Sequence, residues 1–209
     1  MKYSWLNKKN NDKLIIFFNG WGMDDFIVSH LDCEDYDIIN FYDYTSLDIN
    51  INFNEYKEKH IVAWSMGVMV ATLFDFGEVK TKTALCGTPY PINNEYGIPK
   101  RIYELTIKGF SEQSAKKFMD RMFTEPPTIE RFSNRGLENQ KEELIKLLDY
   151  KSNNDYKYTK AIIPDKDLII PTKNQIKYWE NTDTKYIIIP SGHCPFYNYK
   201  TFSDIIVDI

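Results

Sequence analysis

The stretch that decides the fold is Ala63-Trp64-Ser65-Met66-Gly67, which directly follows the apolar, β-type residues Ile61-Val62. At a sharp turn between a strand and a helix, a serine hydroxyl is lifted clear of the backbone, and small residues two places before and after it prevent clashes. Gly67 supplies the second small residue, and Ala63 replaces the usual first glycine with only one added methyl group. So loose a pattern also occurs by chance, but its position between a strand and a helix pattern favours a nucleophile, Ser65.

A serine hydroxyl is a poor nucleophile until a neighbouring base takes its proton. The chain has three histidines, His30, His60 and His193. His60 stands at the start of the strand that leads to Ser65, at the end away from the serine, and His30 lies in an early helix or loop. His193 follows the β-type run 186–189 and a short turn, at the sheet edge where function is expected. We predict His193 as the base.

The acid of such a site holds the imidazole in one tautomer and stabilises the imidazolium. Asp165 and Asp167 both follow the β-type run 161–163. Asp167 is favoured because an aspartate four residues before a helix-opening proline, here Pro171, is the usual hydrolase arrangement. Asp165 is then expected to be a solvated turn residue. The order of nucleophile, acid and base is Ser…Asp…His, which is that of the α/β-hydrolases.

A tetrahedral oxyanion needs two preorganised N–H donors. One is expected from the residue after the nucleophile, Met66. The other is expected from the loop Asn19-Gly20-Trp21-Gly22-Met23, which ends the first long apolar run. Its two glycines let the backbone approach a substrate closely. An ordinary tight turn has the same composition, but beside the predicted elbow we interpret Trp21 and Met66 as the two donors of the oxyanion hole.

Continuous apolar, β-prone runs recur along the chain and suit strands that are buried on both faces of a parallel sheet. The predicted strands are residues 14–18, 37–41, 60–64, 81–86, 161–163 and 186–189, with a short antiparallel strand at 2–6 before them. The predicted helices between them are 66–76, 171–180 and 195–206. This alternation predicts an α/β-hydrolase fold, with a mostly parallel sheet and helices on both faces.

Residues 88–150 interrupt this rhythm, with two helix patterns on either side of Pro126-Pro127. In the first, Ser111 is a candidate N-cap for an apolar stripe of Ala115, Phe118, Met119, Met122 and Phe123. In the second, Gly136 precedes Leu137, Leu144, Ile145 and Leu148. We expect a single domain over 1–209 with 88–150 as a small helical cap over the active site, because open α/β sheets bind ligands at the strand ends. The alternative is that these helices only cover one face of the sheet.

The overall composition narrows the function classes. The 209 residues suffice for one well-buried domain, and 43% hydrophobic with 27% charged residues are globular values. A net charge of −4 argues against nucleic acid as the main partner. Neither a secretory signal nor a membrane-spanning run is recognisable, and the three cysteines are widely spaced, so we expect a cytoplasmic protein with reduced thiols and no membrane partner. Without metal-ligand spacing or a phosphate-binding loop, we expect neither a metal nor a cofactor.

Together, the Asn-Gly-Trp-Gly loop, the Ala-Trp-Ser elbow, Asp167 and Ser191-Gly192-His193 resemble the BioG family of pimeloyl-acyl-carrier-protein methyl ester esterases. The resemblance spans nearly the whole chain. It implies a Ser65–Asp167–His193 triad with Trp21 and Met66 at the oxyanion hole. It also implies a reaction of biotin synthesis, in which the methyl ester of a pimeloyl chain on acyl carrier protein is hydrolysed and methanol is released.

Acyl carrier protein is strongly acidic, so its docking site is expected to be locally basic. From residue 98 to 121 the chain has six cations and three anions (Glu104, Glu112 and Asp120), a charge of +3 in a chain of −4. We therefore predict partner binding by Lys100, Arg101, Lys108, Lys116, Lys117 and Arg121. The alternative is a solvated helix face without a partner.

Two other functions stay open at this point. The same triad would serve a thioesterase or a general short-chain carboxylesterase, since the residues around the site and not the triad select the substrate. A non-catalytic binding protein with a hydrolase fold is the alternative of another class. Such proteins usually lack a member of the triad, and this chain keeps candidates for all three.

Overall fold

The structure is a computed structural model that describes residues 1–125 and 133–207. Its strands are β1 (Lys2–Asn7), β2 (Lys13–Phe18), β3 (Tyr36–Tyr42), β4 (Glu58–Trp64), β5 (Thr81–Leu85), β6 (Lys160–Pro164) and β7 (Lys185–Ile189). Within the described residues they form one seven-stranded sheet in the order β1-β3-β2-β4-β5-β6-β7. β1 is antiparallel to β3, and the other neighbouring pairs are parallel. The predicted mostly parallel sheet is confirmed.

The strands are apolar without interruption because both faces of the sheet are covered. In β2, Leu14, Ile16 and Phe18 belong to the core on one face, and Ile15 and Phe17 belong to the core on the other. All five side chains are fully buried. Burying one such side chain contributes about 1.5–3 kcal/mol, so this pattern stabilises a central position in the sheet.

The described residues form six α-helices: α1 (Gly67–Ala71), α2 (Lys100–Lys108), α3 (Glu112–Arg121), α4 (Leu137–Leu147), α5 (Thr172–Trp179) and α6 (Ser203–Ile206). Val68 of α1, Leu147 of α4 and Trp179 of α5 pack into one core, and Ile205 of α6 packs into the other. Helices on both faces were predicted and are confirmed. No helix in the described ranges is both long enough and apolar enough to span a bilayer.

α2, α3 and α4 lie between β5 and β6, within residues 88–150, which we call the helical insertion. Ser111 is the N-cap of α3 as predicted, because its hydroxyl accepts a hydrogen bond from the Ser114 N–H. α2 was not predicted, although its sequence is amphipathic, and its Ile102 and Leu105 side chains are exposed. The predicted break at Pro126-Pro127 lies outside the described residues.

The predicted apolar face of α4 is wrong in part. Leu144 is buried as expected, but Ile145 and Leu148 are exposed. The buried face of the helix instead includes the polar residues Gln140 and Glu143. Their burial requires hydrogen-bond partners elsewhere in the molecule, and those partners lie next to the site described below.

Two predicted helices are shorter than their sequence patterns indicated. The helix expected over 66–76 ends at Ala71, because the Thr72 hydroxyl donates to the Met69 carbonyl (2.7 Å) and competes with the helical bonds. The helix expected over 195–206 is a 3-10 turn followed by the short α6. Between them Thr201 pairs with Asp32 as an isolated parallel bridge, which keeps that stretch extended.

The predicted first strand exists, but it does not form a hairpin with the strand that follows it. Lys2 of β1 pairs with Tyr42 of β3, at the outer edge of the sheet. Asp37 of β3 accepts hydrogen bonds from the Lys9 and Asn11 N–H groups (2.8 and 3.2 Å) in the connection between β1 and β2. These contacts direct the chain away from a tight turn and past β3.

Candidate active site

Ser65 stands on the sharp turn between β4 and α1. Its backbone φ is +57°, a left-handed conformation that costs a residue other than glycine about 1–3 kcal/mol. The Ser65 N–H donates to the Leu85 carbonyl (2.9 Å), and the Ser65 carbonyl accepts from the Val68 N–H (3.1 Å). The neighbouring strand and the first helical turn therefore hold the serine in its strained conformation.

The turn depends on a very close approach of two backbones. A Cβ atom at Gly67 would lie 2.4 Å from the Phe18 carbonyl oxygen and 2.6 Å from that of Asn19. No side chain fits between the start of α1 and the end of β2. Ala63, which stands where a glycine is usual in such turns, is fully buried within the sheet.

The structure brings Ser65, Asp167 and His193 together in one hydrogen-bonded row. His193 Nε2 lies 2.8 Å from Ser65 Oγ, and His193 Nδ1 lies 2.8 Å from Asp167 Oδ2. All three residues are buried. One tautomer satisfies both contacts: the proton is on Nδ1 and is donated to the carboxylate, while Nε2 accepts from the serine hydroxyl. A base in this state can take the serine proton.

Of the two candidate acids, Asp167 contacts the histidine and Asp165 does not. The Asp167 carboxylate also accepts hydrogen bonds from the Ile169 and Ile170 N–H groups (2.8 and 2.9 Å) and from the Gln175 amide (2.8 Å). These donors fix the orientation of the carboxylate. Asp165 is exposed, but it is more than a solvated residue, because it accepts from the Ser191 N–H (3.0 Å).

Trp64 lies next to this hydrogen-bonded row, and the sequence did not single it out as functional. Its indole N–H donates to the backbone carbonyl of His193 (2.8 Å), and the two rings lie 5.6 Å apart, inclined at 38°. Trp64 is itself buried against Phe196. The residue before Ser65 thus holds the loop that carries His193.

The two residues predicted at the oxyanion hole lie next to the serine. Trp21 and Met66 line the same small cavity as Ser65 and His193. Within residues 1–125 and 133–207, neither the Trp21 N–H nor the Met66 N–H donates a hydrogen bond. Both amide donors are therefore available to a ligand.

The loop that carries Trp21 is fastened to α4. The Trp21 indole N–H donates to the Gln140 carbonyl (2.7 Å), and the Gly22 N–H donates to Glu143 Oε2 (3.0 Å). The Tyr44 N–H donates to the other carboxylate oxygen (2.9 Å). Gln140 and Glu143, on the buried face of α4, thereby accept hydrogen bonds from groups at the edge of the sheet.

Charged side chains of both signs lie around Glu143. Arg135 Nη1 lies 2.7 Å from Glu143 Oε2, and Arg135 Nη2 lies 3.3 Å from Asp43 Oδ1. Burial raises the pKa of Glu143, and the Arg135 charge opposes that rise. Burial would also raise the pKa of Asp43, but a hydrogen bond from Lys2 and the Arg135 charge outweigh it and lower that pKa to about 2.

The cavity beside Ser65 is small, about 30 Å³. The helical insertion supplies much of its wall, and most of the wall side chains are apolar. The insertion residues that line it are Ile98, Tyr103, Thr106, Phe118, Met122 and Leu144. A separate, larger groove of about 560 Å³ lies between α2, the end of α4 and the loop after β5, and of the predicted site residues only Lys100 lines it.

The six predicted partner-binding cations lie on two neighbouring helices. Lys100, Arg101 and Lys108 belong to α2, and Lys116, Lys117 and Arg121 belong to α3. All six side chains are exposed. None of them forms an ion pair with any residue in the described part of the chain.

The other histidines have structural surroundings. His60 hydrogen-bonds Thr81 (2.7 Å) and Glu58 (2.8 Å) at the start of β4, and burial lowers its pKa. His30 stacks on Tyr197 with ring centres 4.4 Å apart. In the described ranges, no cluster of three or more histidine, cysteine or acidic side chains could hold a metal ion.

A family model described as pimeloyl-ACP methyl esterase BioG matches residues 1–205 of the chain. The chain belongs to the BioG family. The crystal structure of BioG from Haemophilus influenzae is similar to it, with a TM-score of 0.91 and 28% identity over 98% of this chain and 99% of that one. The family resemblance inferred from the sequence is confirmed.

Two other proteins are also similar to the chain. An α/β-hydrolase from a deep-sea metagenome library has a TM-score of 0.58 at 15% identity over 94% of this chain and 88% of that one, which shows the shared fold. A malonyl-[acyl-carrier protein] O-methyltransferase of Bacteroides fragilis is 36% identical over 177 residues. That match covers 79% of this chain and 36% of the relative, so the chain spans about a third of that protein's length.

Proposed function

We propose that this BioG-family chain hydrolyses the methyl ester of pimeloyl-[acyl-carrier protein] in biotin synthesis and releases methanol. The observation that carries the proposal is the position of His193, which lies 2.8 Å from both Ser65 Oγ and Asp167 Oδ2. A buried row of hydroxyl, imidazole and carboxylate is the arrangement that activates serine for attack on an ester. The expected setting is the cytoplasm, as predicted from the sequence.

In the proposed mechanism, Ser65 Oγ attacks the ester carbonyl and its proton passes to His193 Nε2. The N–H groups of Trp21 and Met66 stabilise the negative oxygen of the tetrahedral intermediate. Collapse of this intermediate breaks the bond to the methoxy group, which leaves as methanol with the proton from Nε2. Water then attacks the acyl-enzyme with His193 again as base, and free Ser65 is regenerated as the carboxylate product departs.

We propose that the helical insertion acts as the cap of this site. A cavity of about 30 Å³ holds a group roughly the size of one water molecule. The ester end of the substrate therefore fits beside Ser65 only if Phe118 and Met122 of the wall move aside for the acyl chain. The apolar wall favours a hydrocarbon chain, because burying its methylene groups contributes about 0.8 kcal/mol each.

We also propose that the six cations of α2 and α3 receive the acidic carrier protein. The same two helices line the cavity with Tyr103 and Phe118 and carry unpaired positive side chains on their exposed faces. A carrier protein held there would keep its acyl chain close to the site. Exposed charges of this kind mainly accelerate encounter and select the partner.

The similar proteins support a carrier-bound methyl ester as substrate. The family description names a pimeloyl-ACP methyl esterase, and the Bacteroides fragilis relative is named as an O-methyltransferase that acts on malonyl-[acyl-carrier protein]. One activity attaches a methyl group to a carrier-bound acid, and the other removes one. A shared sequence segment is consistent with a common substrate class.

The test is a direct assay on methyl pimeloyl-[acyl-carrier protein], with methanol release and carrier mass measured together. The purified chain is expected to remove the methyl group and leave the thioester to the carrier intact. Ser65→Ala is expected to lower turnover by several powers of ten.

Three results would contradict the proposal in different ways. Cleavage of the thioester with the methyl ester untouched would indicate a thioesterase. Equal rates on free short-chain esters and on the carrier-bound ester would indicate a general esterase. Binding without turnover of any of these esters would indicate a non-catalytic binding protein.

A further inference from the structure

The loop at the proposed oxyanion hole is not held by the sheet alone. Two of its groups bind α4 of the helical insertion: the Gly22 N–H donates to Glu143 (3.0 Å), and the Trp21 indole donates to the Gln140 carbonyl (2.7 Å). Within the loop, the Gly20 carbonyl, which belongs to the peptide unit that carries the Trp21 N–H, accepts from the Met23 N–H (3.3 Å). The peptide unit after Trp21 is thus held by α4, and the unit before it is held by a turn within the loop.

The conformational freedom of Gly22 explains why the Trp21 loop needs these contacts with α4. Its φ is +76°, which glycine adopts freely, and it has no side chain that could lock the loop. The Glu143 carboxylate supplies that constraint from outside the loop, and its other oxygen accepts from the Tyr44 N–H (2.9 Å) just after β3. One buried carboxylate therefore joins the Trp21 loop, the end of β3 and α4.

The charge on Glu143 is supported by a partner that also contacts the loop. Arg135 donates to Glu143 (2.7 Å) and lies within 3.4 Å of the Met23 carbonyl oxygen. The Glu143 side chain is fully buried, and that of Arg135 is 5% exposed. A buried carboxylate with a matched cation and satisfied hydrogen bonds keeps a single geometry, whereas one without a partner does not persist.

We propose that Glu143 is a positioning residue for the oxyanion hole, through which the helical insertion orients the Trp21 N–H toward the substrate. This inference rests on the proposed function, because it assigns the Trp21 N–H to the developing oxyanion. Glu143 does not touch the substrate in this scheme. It acts through the Gly22 peptide unit, and Gln140 acts in parallel through the Trp21 indole.

A positioning role has a kinetic signature that a purely structural role lacks. The Trp21 amide is used chiefly when negative charge develops in the transition state, so a misplaced amide lowers kcat and leaves KM nearly unchanged. Removing one donor of such a hole lowers kcat by about 100- to 1,000-fold, and a small displacement is expected to lose about 10- to 100-fold.

The main variant is Glu143→Met combined with Arg135→Met. It removes a matched pair of charges together, keeps side-chain volume and leaves no buried charge unpaired. On a p-nitrophenyl ester we expect kcat to fall about 10- to 100-fold with KM within about threefold. Affinity for an alkyl boronic acid, whose serine adduct places an oxygen in the hole, is expected to fall by a similar factor.

Asp43→Asn is the matched control. Asp43 belongs to the same charge cluster and lies 3.3 Å from Arg135 Nη2, but it donates to and accepts from no group of the Trp21 loop. We expect its kcat and boronic acid affinity to stay within about threefold of the parent chain. If Asp43→Asn lost as much kcat as the double variant, general loosening of the cluster would explain both, and the proposal would be wrong.

Glu143→Asp keeps the proposal testable if the double variant does not fold. It keeps the negative charge beside Arg135 but withdraws the carboxylate from the Gly22 N–H by one methylene group. We expect a three- to tenfold loss of kcat with folding intact by circular dichroism. A folded variant with unchanged kcat and boronic acid affinity would overturn the positioning role.

The parent chain separates failure of this proposal from failure of the proposed function. If the parent hydrolyses the ester and Ser65→Ala does not, the catalytic assignment stands, and equal activity of the folded variants overturns only the role of Glu143. If the parent is inert on the ester and on the carrier-bound methyl ester, the proposed function fails and the positioning role fails with it.

Discussion

At the carboxyl edge of the sheet, Ser65, Asp167 and His193 follow β4, β6 and β7, and their separations are set by strands locked in parallel register. In the helical insertion, α2, α3 and α4 reach the same cavity, but each contributes only one or two side chains. The sheet edge contains the groups that could carry out bond making and breaking. The insertion contains much of the cavity wall, the six exposed cations and the groups of α4 that hold the Trp21 loop.

The two regions are stabilised by different kinds of interaction. Strain at Ser65 is tolerated because backbone hydrogen bonds to β5 and α1 surround it. The insertion instead depends on side-chain bonds such as those of Glu143 and Arg135. Changes at the sheet edge should therefore lower kcat most, whereas changes in the insertion should lower kcat less and also alter stability and partner affinity.

The largest effect is expected at Asp167, the predicted acid at the edge of the sheet. Asp167→Asn leaves an amide opposite His193 Nδ1, which favours the wrong tautomer, so we expect kcat to fall about 10,000-fold. Asp165→Asn is the matched control, because Asp165 contacts Ser191 and not the histidine. We expect it to keep kcat within about threefold. Steady-state rates on a small ester measure both variants. A larger loss of kcat in Asp165→Asn than in Asp167→Asn would mean that Asp165 and not Asp167 is the acid.

The next effect tests the junction of the two regions at Asp43. The pKa of Asp43 is lowered to about 2. Its ionised form therefore stabilises the fold at pH values above about 4, which is the ordinary pKa of an aspartate. That stability is lost as pH falls through 2. Urea unfolding should show Asp43→Asn less stable than the parent by about 1–2 kcal/mol at pH 5 and nearly equal to it at pH 2.

Glu143 does not confound this comparison. Its pKa is raised, so it takes up its proton at higher pH in both proteins and its contribution largely cancels. A stability difference between the parent and Asp43→Asn that persisted unchanged at pH 2 would rule out the ion pair of Asp43 as its source.

A smaller effect tests the basic surface of the insertion. Arg101→Glu combined with Lys108→Glu reverses two unpaired charges on α2, so we expect KM for the carrier-bound ester to rise about tenfold, or 1.4 kcal/mol. Kinetics on a p-nitrophenyl ester should not change. Lys9→Glu, an exposed charge between β1 and β2, is the control. An equal rise in KM with Lys9→Glu would mean that net charge and not a docking surface is responsible.

The smallest expected effect on catalysis is tested by comparing Trp64 with another buried tryptophan. Trp64 donates to the His193 carbonyl (2.8 Å) and Trp179 donates to the Gly87 carbonyl (3.1 Å). Trp64→Phe and Trp179→Phe should each destabilise the fold by about 1–3 kcal/mol in thermal unfolding. Only Trp64→Phe is expected to lower kcat as well, by about fivefold. Equal kcat values for the two would show that the Trp64 bond has no role in placing the histidine.

Much of the sheet edge could be predicted because its signals are local. A strand buried on both faces is a continuous apolar run, and the elbow needs a small residue at Gly67 within two positions of the serine. The choice of Asp167 over Asp165 was made from its spacing to Pro171. The geometry that distinguishes them comes from contacts with Ile169, Ile170 and Gln175 that no short pattern encodes.

The insertion was harder to predict because distant contacts determine it. Glu143 lies in the charged run Lys141-Glu142-Glu143, which is typical of a solvated helix face. Its burial depends on Arg135 and on donors from Gly22 and Tyr44, more than ninety residues away. Side chains that face a second element of the fold do not follow the periodicity of a lone helix.

The most direct test of the central claim is covalent mapping of the nucleophile with a fluorophosphonate, followed by tandem mass spectrometry of the digested protein. The account predicts one adduct, on the peptide that contains Ser65, formed rapidly in the parent chain and at least 100-fold more slowly in His193→Ala. An adduct on another residue, or labelling of Ser65 at the same rate without the imidazole, would contradict activation of Ser65 by His193.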